Sequence, residues 1–517
     1  MIAAELIKRG AVHHRNRVAA IFGSAQWTYG EVNANANRLA HAVFDIGLRK
    51  GDRVAILLSN SIHSLEVDFA LIKSGLVRVP INTRLATPEM ARMIQETDAK
   101  LVLFSHEFLE KVEEMPLGDS VLKAMIGSAK PKNADIIDLD QIIPTMSIDE
   151  PEVEIHESDL VTLQYTSGTT GVLKAAMHTQ ETWAAIALNI LTNVPVQSDD
   201  IMLHTAPLTH AAGTLVLPHW IRGAANAILP GFRPQEFLQA VSTLKPSTLN
   251  LVPTMIVMLL SQPNVRDYSF DSVRSIIYGA APIPTETLRQ GIALWGPKFV
   301  QYYGQTESPL ILTVLAANDH DLTSDQGQQH LLSSGRVVPT ARLKIVDEDN
   351  DTLKVGEIGE IAVQSSQNMV GYWQETELTA ATMLPGGWIK TRDLGYLDDD
   401  GYVYLVDRKS DMIITGGFNV YPREIEDVLY RHPAILEAAA IGVPDEIWGE
   451  SIKAFVVLRE GAAVTEDEII DWCREQLAGY KRPKSVEFVV SLPKSPVDKV
   501  LRRVLREPYW ENRPRKI

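Results

Sequence analysis

The chain has 517 residues, with 49 Lys and Arg against 65 Asp and Glu and a formal net charge of −16. Hydrophobic residues make up 45% and charged residues 22%, ordinary globular proportions that exclude disordered, collagenous and coiled-coil classes. The acidic balance disfavours nucleic acid as the main partner; the single cysteine, Cys473, excludes an internal disulfide framework and fits a reducing compartment.

Such a length argues for more than one globular unit. The N-terminal residues show no apolar stretch ending in a small-residue cleavage site. The apolar runs at 184–191 and 215–217 are too short to span a bilayer, so the expected location is the cytoplasm. RVAILLSN (53–60) reads as a buried strand, followed by an amphipathic helix through Leu65, Phe69, Leu71 and Ile72. LVTLQY (160–165), VRSIIYG (273–279) and KFVQYYG (298–304) repeat this strand-then-loop form, which argues for α/β layers with mainly parallel sheets. Ligands in such sheets bind at loops beyond the carboxyl ends of strands.

Thr166, Ser167, Gly168, Thr169, Thr170 and Gly171 follow the second of these strands directly, and Lys174 comes three residues later. Glycines let backbone N–H groups turn toward an anion, hydroxyls add donors, and the lysine adds a point charge for phosphate. The spacing is neither Walker A nor G-x-G-x-x-G. A flexible linker is the competing reading, disfavoured by the position between a buried strand and a helical segment. His204, His210 and His219 lack a compact metal-ligand pattern, and structural histidines are the alternative for all three.

After about Gly335 the texture changes. ARLKIVDEDN, GEIGEIAVQ and GYVYLVDR alternate apolar and polar residues and predict antiparallel strands of a small sheet or barrel. Beyond Arg408 the pattern predicts strands at 412–415, 438–443 and 452–458 and helices at 422–430 and 466–477, a compact α+β unit. The boundary is placed at Lys409 and Ser410, giving domains 1–409 and 410–517. The arginines Arg502, Arg503, Arg506 and Arg515 read as a solvated basic tail.

YTSGTTGVLK (165–174) resembles the signature loop of the adenylate-forming superfamily. Further segments resemble its motifs in the family's order: YGAAP (278–282), YYGQTES (302–308), GGWIKTRDLG (386–395), DRKSDMIITGGFNVYPREIE (407–426) and PKSPVDKVLRR (493–503). The ordered set spans essentially the whole chain and points to the acyl-CoA and aryl-CoA synthetase branch, the AMP-dependent synthetases and ligases.

That resemblance implies a fold: a large N-terminal α/β domain with parallel sheets and a small antiparallel barrel-like subdomain, capped by a small mobile α+β domain. It also implies a two-step reaction. A carboxylate attacks the α-phosphate of ATP, releasing pyrophosphate, and the thiol of CoA then displaces AMP. The loop 166–171 with Lys174 would hold the β- and γ-phosphates. Thr306 would bond the α-phosphate and Glu307 would bind Mg2+; taken alone, this Thr-Glu pair reads better as a helix start, and its place after Tyr302, Tyr303 and Gly304 favours the family role. Tyr303 would stack on adenine, with Gly279, Ala280 and Ala281 along the base and acyl pocket. Asp393 would bind the ribose hydroxyls beside Arg408, and Lys499 would bridge the carboxylate and the α-phosphate. His210, Tyr278 and Gly304 would line the acyl pocket, Gly416 and Gly417 the pantetheine tunnel, and Ser410 would be the hinge.

The expected partners are a small carboxylic acid, fatty or aromatic, together with ATP and CoA; a homodimer is an open assembly state, and neither nucleic acid nor a membrane span is expected. Two alternatives stay open: an adenylating enzyme that loads a carrier protein or an amine, and a catalytically idle nucleotide-binding scaffold. Five positions depart from the family pattern. Leu173 and Ala175 replace a proline and a glycine in the loop, Arg392 replaces the glycine of Thr-Gly-Asp, Ser410 replaces a charged hinge residue, and Asp498 replaces the glycine before Lys499. A carboxylate beside Lys499 raises its pKa or weakens its field near phosphate, which predicts a slow first half-reaction. Asp498→Gly is therefore expected to speed pyrophosphate release; an unchanged rate would remove Asp498 from the account.

Overall fold

The computed structural model describes residues 1–127, 133, 135–166, 174–281, 283–408, 410–495 and 499–511. The expectations for Ser167, Gly168, Thr169, Thr170, Gly171, Lys409, Asp498 and Arg515 lie outside the described residues.

Apolar runs of four to seven residues form two large sheets. The first has nine strands and the second eight. In the first, Ile201–His204, Ala225–Ile228, Thr248–Leu251, Ser275–Gly279 and Phe299–Gln305 run parallel as neighbours. In the second, Val77–Pro80, Arg53–Leu57, Leu101–Ser105 and Leu122–Ile126 do the same. Antiparallel strands extend both: Ser308–Leu315 pairs with Phe299–Gln305, and Lys174–Thr179 pairs with Leu160–Thr166.

The largest core cluster draws on helices Ala3–His13, Tyr29–Asp45, Ser64–Ser74, Gln180–Asn193 and Val216–Arg222 and on inward residues of both sheets, such as Val54, Leu103, Met202 and Ile277. Those helices therefore form a layer between the sheets. Helices Pro234–Leu244, Pro253–Leu260 and Thr285–Trp295 cover the far face of the first sheet, and Thr87–Glu96 covers that of the second. The result is five alternating layers, and parallel strands covered on both faces explain their nearly unbroken apolar sequences.

Trp220 fills the middle layer. It is fully buried, donates its indole N–H to the Ile7 carbonyl at 2.8 Å, and packs against Tyr29 and Phe69 with ring centroids 4.1 Å and 4.6 Å away. Gly10 lies so close that a Cβ there would stand 2.3 Å from the Trp220 nitrogen.

Ala341–Val346, Gly359–Ser365, Trp388–Leu397 and Val403–Arg408 form an antiparallel sheet, as the alternating pattern predicts, with the short strand Met383–Leu384 as its fifth member. The next strand, Ile413–Thr415, belongs to a separate five-stranded sheet with Phe418–Val420, Gly449–Leu458, Ile435–Asp445 and Ser485–Phe488. Helices Pro422–Tyr430 and Glu466–Gln476 pack on it, with Cys473 of the second helix fully buried in the shared core and its thiol pushed up by burial to about 11. No helix among the described residues is long and apolar enough to cross a membrane.

Arg502 and Arg506 correct the reading of a solvated tail. They lie on the helix Arg502–Trp510; Arg502 donates Nε and Nη2 to the two Glu426 carboxylate oxygens at 3.0 Å and 2.6 Å, and Arg506 stands 3.2 Å from Asp411.

Removing the Trp220 ring leaves a cavity that the two flanking sheets cannot collapse. Trp220→Ala is expected to cost about 3–5 kcal/mol of stability, read from the shift of the denaturant midpoint.

Candidate active site

The site grows from the end of the first sheet. Strand Phe299–Gln305 turns back into Ser308–Leu315, with Gln305 opposite Ser308, so Thr306 and Glu307 are the two turn residues of a β-hairpin. This overturns the helix-start reading of the Thr-Glu pair. Gly304 is required by close approach: a Cβ there would sit 2.2 Å from the Leu310 carbonyl oxygen.

The turn is held from two sides. The Met369 N–H donates to the Glu307 carbonyl at 2.7 Å, and the Tyr372 hydroxyl donates to Glu307 Oε1 at 2.6 Å. Behind it, His178 Nε2 lies 2.8 Å from the Thr306 carbonyl. Burial pushes the His178 pKa down to about 4, so the ring is neutral near pH 7. A carbonyl can only accept, so Nε2 carries the proton. Neither Tyr372 nor His178 was identifiable from a motif in the sequence.

Tyr303, only 8% exposed, donates its hydroxyl to Asp393 Oδ2 at 2.7 Å. Asp393 and Arg408 face each other across paired strands, with Arg408 Nε 3.2 Å from Asp393 Oδ1. Burial, then the Asp393 charge, raises the Tyr303 phenol well above its usual value, and the same carboxylate raises Arg408. One carboxylate thus accepts from a phenol and pairs with a guanidinium, and these three residues link the first sheet to the antiparallel one.

Asp393 reaches that position through a bulge. Glu360 pairs with Leu394 and Ala362 with Lys390, so Thr391, Arg392 and Asp393 stand opposite the single residue Ile361. Arg392 occupies the left-handed region at φ 62°. That conformation costs a non-glycine residue about 1–2 kcal/mol and explains the glycine usual at such a bulge. The bulge is pinned by Thr391 Oγ1 donating to the Ile361 carbonyl at 2.9 Å and by the Arg392 N–H donating to Glu360 Oε1 at 3.0 Å.

Lys174 starts the strand Lys174–Thr179, with Thr166 as its register partner. Burial first, and then the Arg392 charge, lowers its pKa, against the pull of Glu375 and Glu307. Lys499 arrives from the C-terminal unit. Its backbone N–H bonds Ser495 Oγ at 3.1 Å, and its carbonyl accepts from the Ser495 N–H at 2.7 Å. Burial, then Arg408, depresses its pKa to about 8, while Asp393 and Glu307 oppose that shift. Lys499 is therefore within electrostatic reach of three groups at the hairpin end of the large domain.

Among the other expected residues, Gly279 ends its strand beside Tyr302, where a Cβ would meet the Tyr302 carbonyl oxygen at 2.4 Å, and Ala280 follows with φ 66°. Ala281 comes directly after it. Tyr278 departs from its expected place in the acyl pocket. It is fully buried in the cluster beneath the outer helices, with its hydroxyl bonded to Gln301 Oε1 and His320 Nε2, each at 2.9 Å, because its side chain points to the opposite face of the strand from an inward residue such as Ile277. His210 precedes the short turn Ala211–Leu215, and burial, followed by the Arg84 charge, lowers its pKa to about 4. His204 and His219 are buried and bonded to Asn226 and to the Leu215 carbonyl, which fits the structural reading. Gly416 and Gly417, at φ 58° and 81°, turn the hairpin between Ile413–Thr415 and Phe418–Val420, with Gly416 against Trp448. The Ser410 carbonyl accepts from Arg506 Nη1 at 2.9 Å.

Residues 7–373 match the AMP-binding enzyme family and residues 424–499 match the AMP-binding enzyme C-terminal domain. Fatty acid–[acyl-carrier-protein] ligase ScoC of Streptomyces coeruleorubidus is 33% identical, covering 98% of this chain and 96% of that protein. Feruloyl-CoA synthase of an Amycolatopsis species is 34% identical over 94% of this chain and 95% of its own. The solved structure of the amide bond synthetase McbA from Marinactinospora thermotolerans superposes with a TM-score of 0.89 at 26% identity, covering 98% of this chain and all of that one. With two domain matches in order and full-length relatives of this kind, the chain belongs to the AMP-binding enzyme family of the adenylate-forming superfamily.

Proposed function

We propose that the protein is an AMP-forming carboxylic acid–CoA ligase acting on a fatty or aromatic acid. The observation that carries this reading is the buried Tyr303–Asp393–Arg408 contact beside the Thr306–Glu307 turn, whose charges act on Lys499 of the C-terminal unit. The reaction brings a carboxylate to a phosphate. Its difficulty is anion against anion, so it needs fixed cations and hydrogen-bond donors more than a general base.

In this reading Asp393 accepts from the ribose hydroxyls while Arg408 holds the carboxylate in place, and the Tyr303 ring supports the adenine. The Thr306 hydroxyl donates to the α-phosphate. Lys499 lies between the incoming carboxylate and the α-phosphate, where its charge offsets the build-up of negative charge. Glu307 suits Mg2+: it offers hard carboxylate oxygens oriented by Tyr372, and Mg2+ is usually held by one or two carboxylates together with substrate phosphates. When bound, the ion would supply charge neutralisation at the phosphates. The loop 166–171 and Lys174 take the β- and γ-phosphates, residues 1–409 form the nucleotide platform and residues 410–517 the cap turning about Ser410. CoA enters along Gly416 and Gly417. His210 stays neutral at the acyl pocket, which suits an uncharged acyl or aryl group.

The names of the relatives favour a second reading as well. An acyl-carrier-protein ligase and an amide bond synthetase stand beside a CoA synthase among the similar proteins, so the final acceptor is the point of difference. Carboxylate-dependent ATP–pyrophosphate exchange is expected from the purified chain; its absence across fatty and aromatic acids would leave the idle-scaffold reading. Thioester formation with free CoA, and none with carrier protein or amine, then selects the CoA ligase. Lys499→Ala should slow exchange roughly 10²–10³-fold while sparing thioester formation from supplied acyl-AMP, as expected for loss of one transition-state donor.

Lys499 also sets a pH dependence. In the ligand-free site its charge is disfavoured by burial and by Arg408, with a pKa of about 8. A bound polyanion favours the charged form, so the bound pKa is higher. ATP binding therefore takes up a proton above about pH 8, and affinity falls as pH rises through that value. Calorimetry in two buffers of different ionisation heat should show this uptake at about pH 9 in the wild type and lose it in Lys499→Ala.

A further inference from the structure

The bulge that delivers Asp393 carries a residue whose backbone cost has no visible structural return. Arg392 holds φ 62°, a conformation in which glycine is free and arginine is strained. The bulge does not need the arginine side chain. Its pins are the Thr391 hydroxyl, the Arg392 backbone N–H and the Glu360 carboxylate. Among the described residues the guanidinium has no hydrogen-bond or ion-pair partner. A strained residue that anchors nothing is better explained by what its side chain can bind.

The side chain's surroundings point to an anion. Its charge is felt at Lys174 and at the Tyr372 hydroxyl, the group that donates to Glu307. Tyr372 is the register partner of Ala176, two residues along the strand from Lys174, so Arg392, whose charge acts on both, lies on that side, whereas Asp393, the next residue, faces Arg408 and Tyr303. Two cations kept near each other, one without a partner, repel until an anion lies between them. A guanidinium suits phosphate because its planar fork binds two oxygens at once.

We propose that Arg392 is a second phosphate-binding cation which, with Lys174, grips the pyrophosphate portion of the nucleotide, a charge that the glycine usual at this bulge cannot supply. The proposal rests on the adenylating reading above. In that step the carboxylate oxygen forms a bond to the α-phosphorus, the bond from that phosphorus to the bridging oxygen breaks, and the electron pair leaves with pyrophosphate. The charge grows on the bridging and β-phosphate oxygens, where a cation on the Lys174 side stabilises the departing group more than the ground state. The same contact tightens the product's hold, so pyrophosphate release is slowed in proportion.

The test compares Arg392→Gly, Arg392→Lys and wild type by calorimetric binding of Mg–ATP, Mg–pyrophosphate and AMP. Arg392→Gly is expected to weaken Mg–ATP and Mg–pyrophosphate about tenfold while AMP changes less than about twofold, the loss appropriate to one charge-assisted contact. Its thermal midpoint should stay at or above that of the wild type, because the backbone strain is relieved. Arg392→Lys should recover part of the pyrophosphate affinity. Equal weakening of ATP and AMP would mean that the residue only shapes the bulge, and unchanged pyrophosphate binding in Arg392→Gly would place the guanidinium outside the site; either overturns the proposal. Carboxylate-dependent exchange by the wild type is measured separately, so a failure of the adenylating reading is distinguishable from a failure of the Arg392 assignment.

Discussion

The pairing of Tyr303, Asp393 and Arg408 is the contact around which the site is arranged. It is a buried carboxylate satisfied from two sides, by a phenol on the last parallel strand of the first sheet and a guanidinium on the neighbouring strand of the antiparallel sheet. A buried charge without partners is costly, so the three groups fix one another and with them the relative placement of the two sheets. The bulge at Thr391–Asp393 exists to bring the carboxylate there, and the hairpin turn with Thr306 and Glu307 lies three residues beyond Tyr303 on the same strand. Lys499, its pKa depressed by burial and then by the Arg408 charge, completes the arrangement from the last part of the chain.

The electrostatics of this arrangement run opposite to those of the whole molecule. The formal charge is −16, yet the one Glu307 carboxylate acts on Lys174, Arg408 and Lys499, and Arg392 acts on Lys174. Local cations in a partly desolvated site outweigh a diffuse acidic surface, whose field is screened within about 10 Å at ordinary salt. The overall acidity concerns solubility and non-specific partners, and the site composition concerns the ligand.

Much of this was legible in the sequence because it depends on short-range patterns. Unbroken apolar runs gave parallel strands covered on both faces, and alternation from Ala341 to Arg408 gave the antiparallel sheet. The residues of the candidate site were legible only through ordered motifs, since Asp393 or Arg408 alone reads as a surface charge. Tyr372 and His178 stayed hidden because each acts on the hairpin turn across 65 and 128 residues of chain, a relation that periodicity does not carry. Tyr278 shows the converse: adjacency to a motif placed it in the pocket, but strand alternation turned its ring into the core. Arg502 looked like part of a solvated tail because the Glu426 carboxylate that it binds is 76 residues away.

The lone cysteine has a practical meaning once its position is known. Cys473 is sealed in the core of the C-terminal unit, and burial keeps its sulfur protonated at neutral pH. Since it is the only thiol of the polypeptide, a reagent that counts free sulfhydryls under native conditions sees the small-molecule thiol and not the protein. The folded polypeptide is thus spectroscopically silent in a thiol-consumption assay, and it acquires a signal when that unit opens. The same residue therefore separates turnover from unfolding in one cuvette, with no label or substitution introduced.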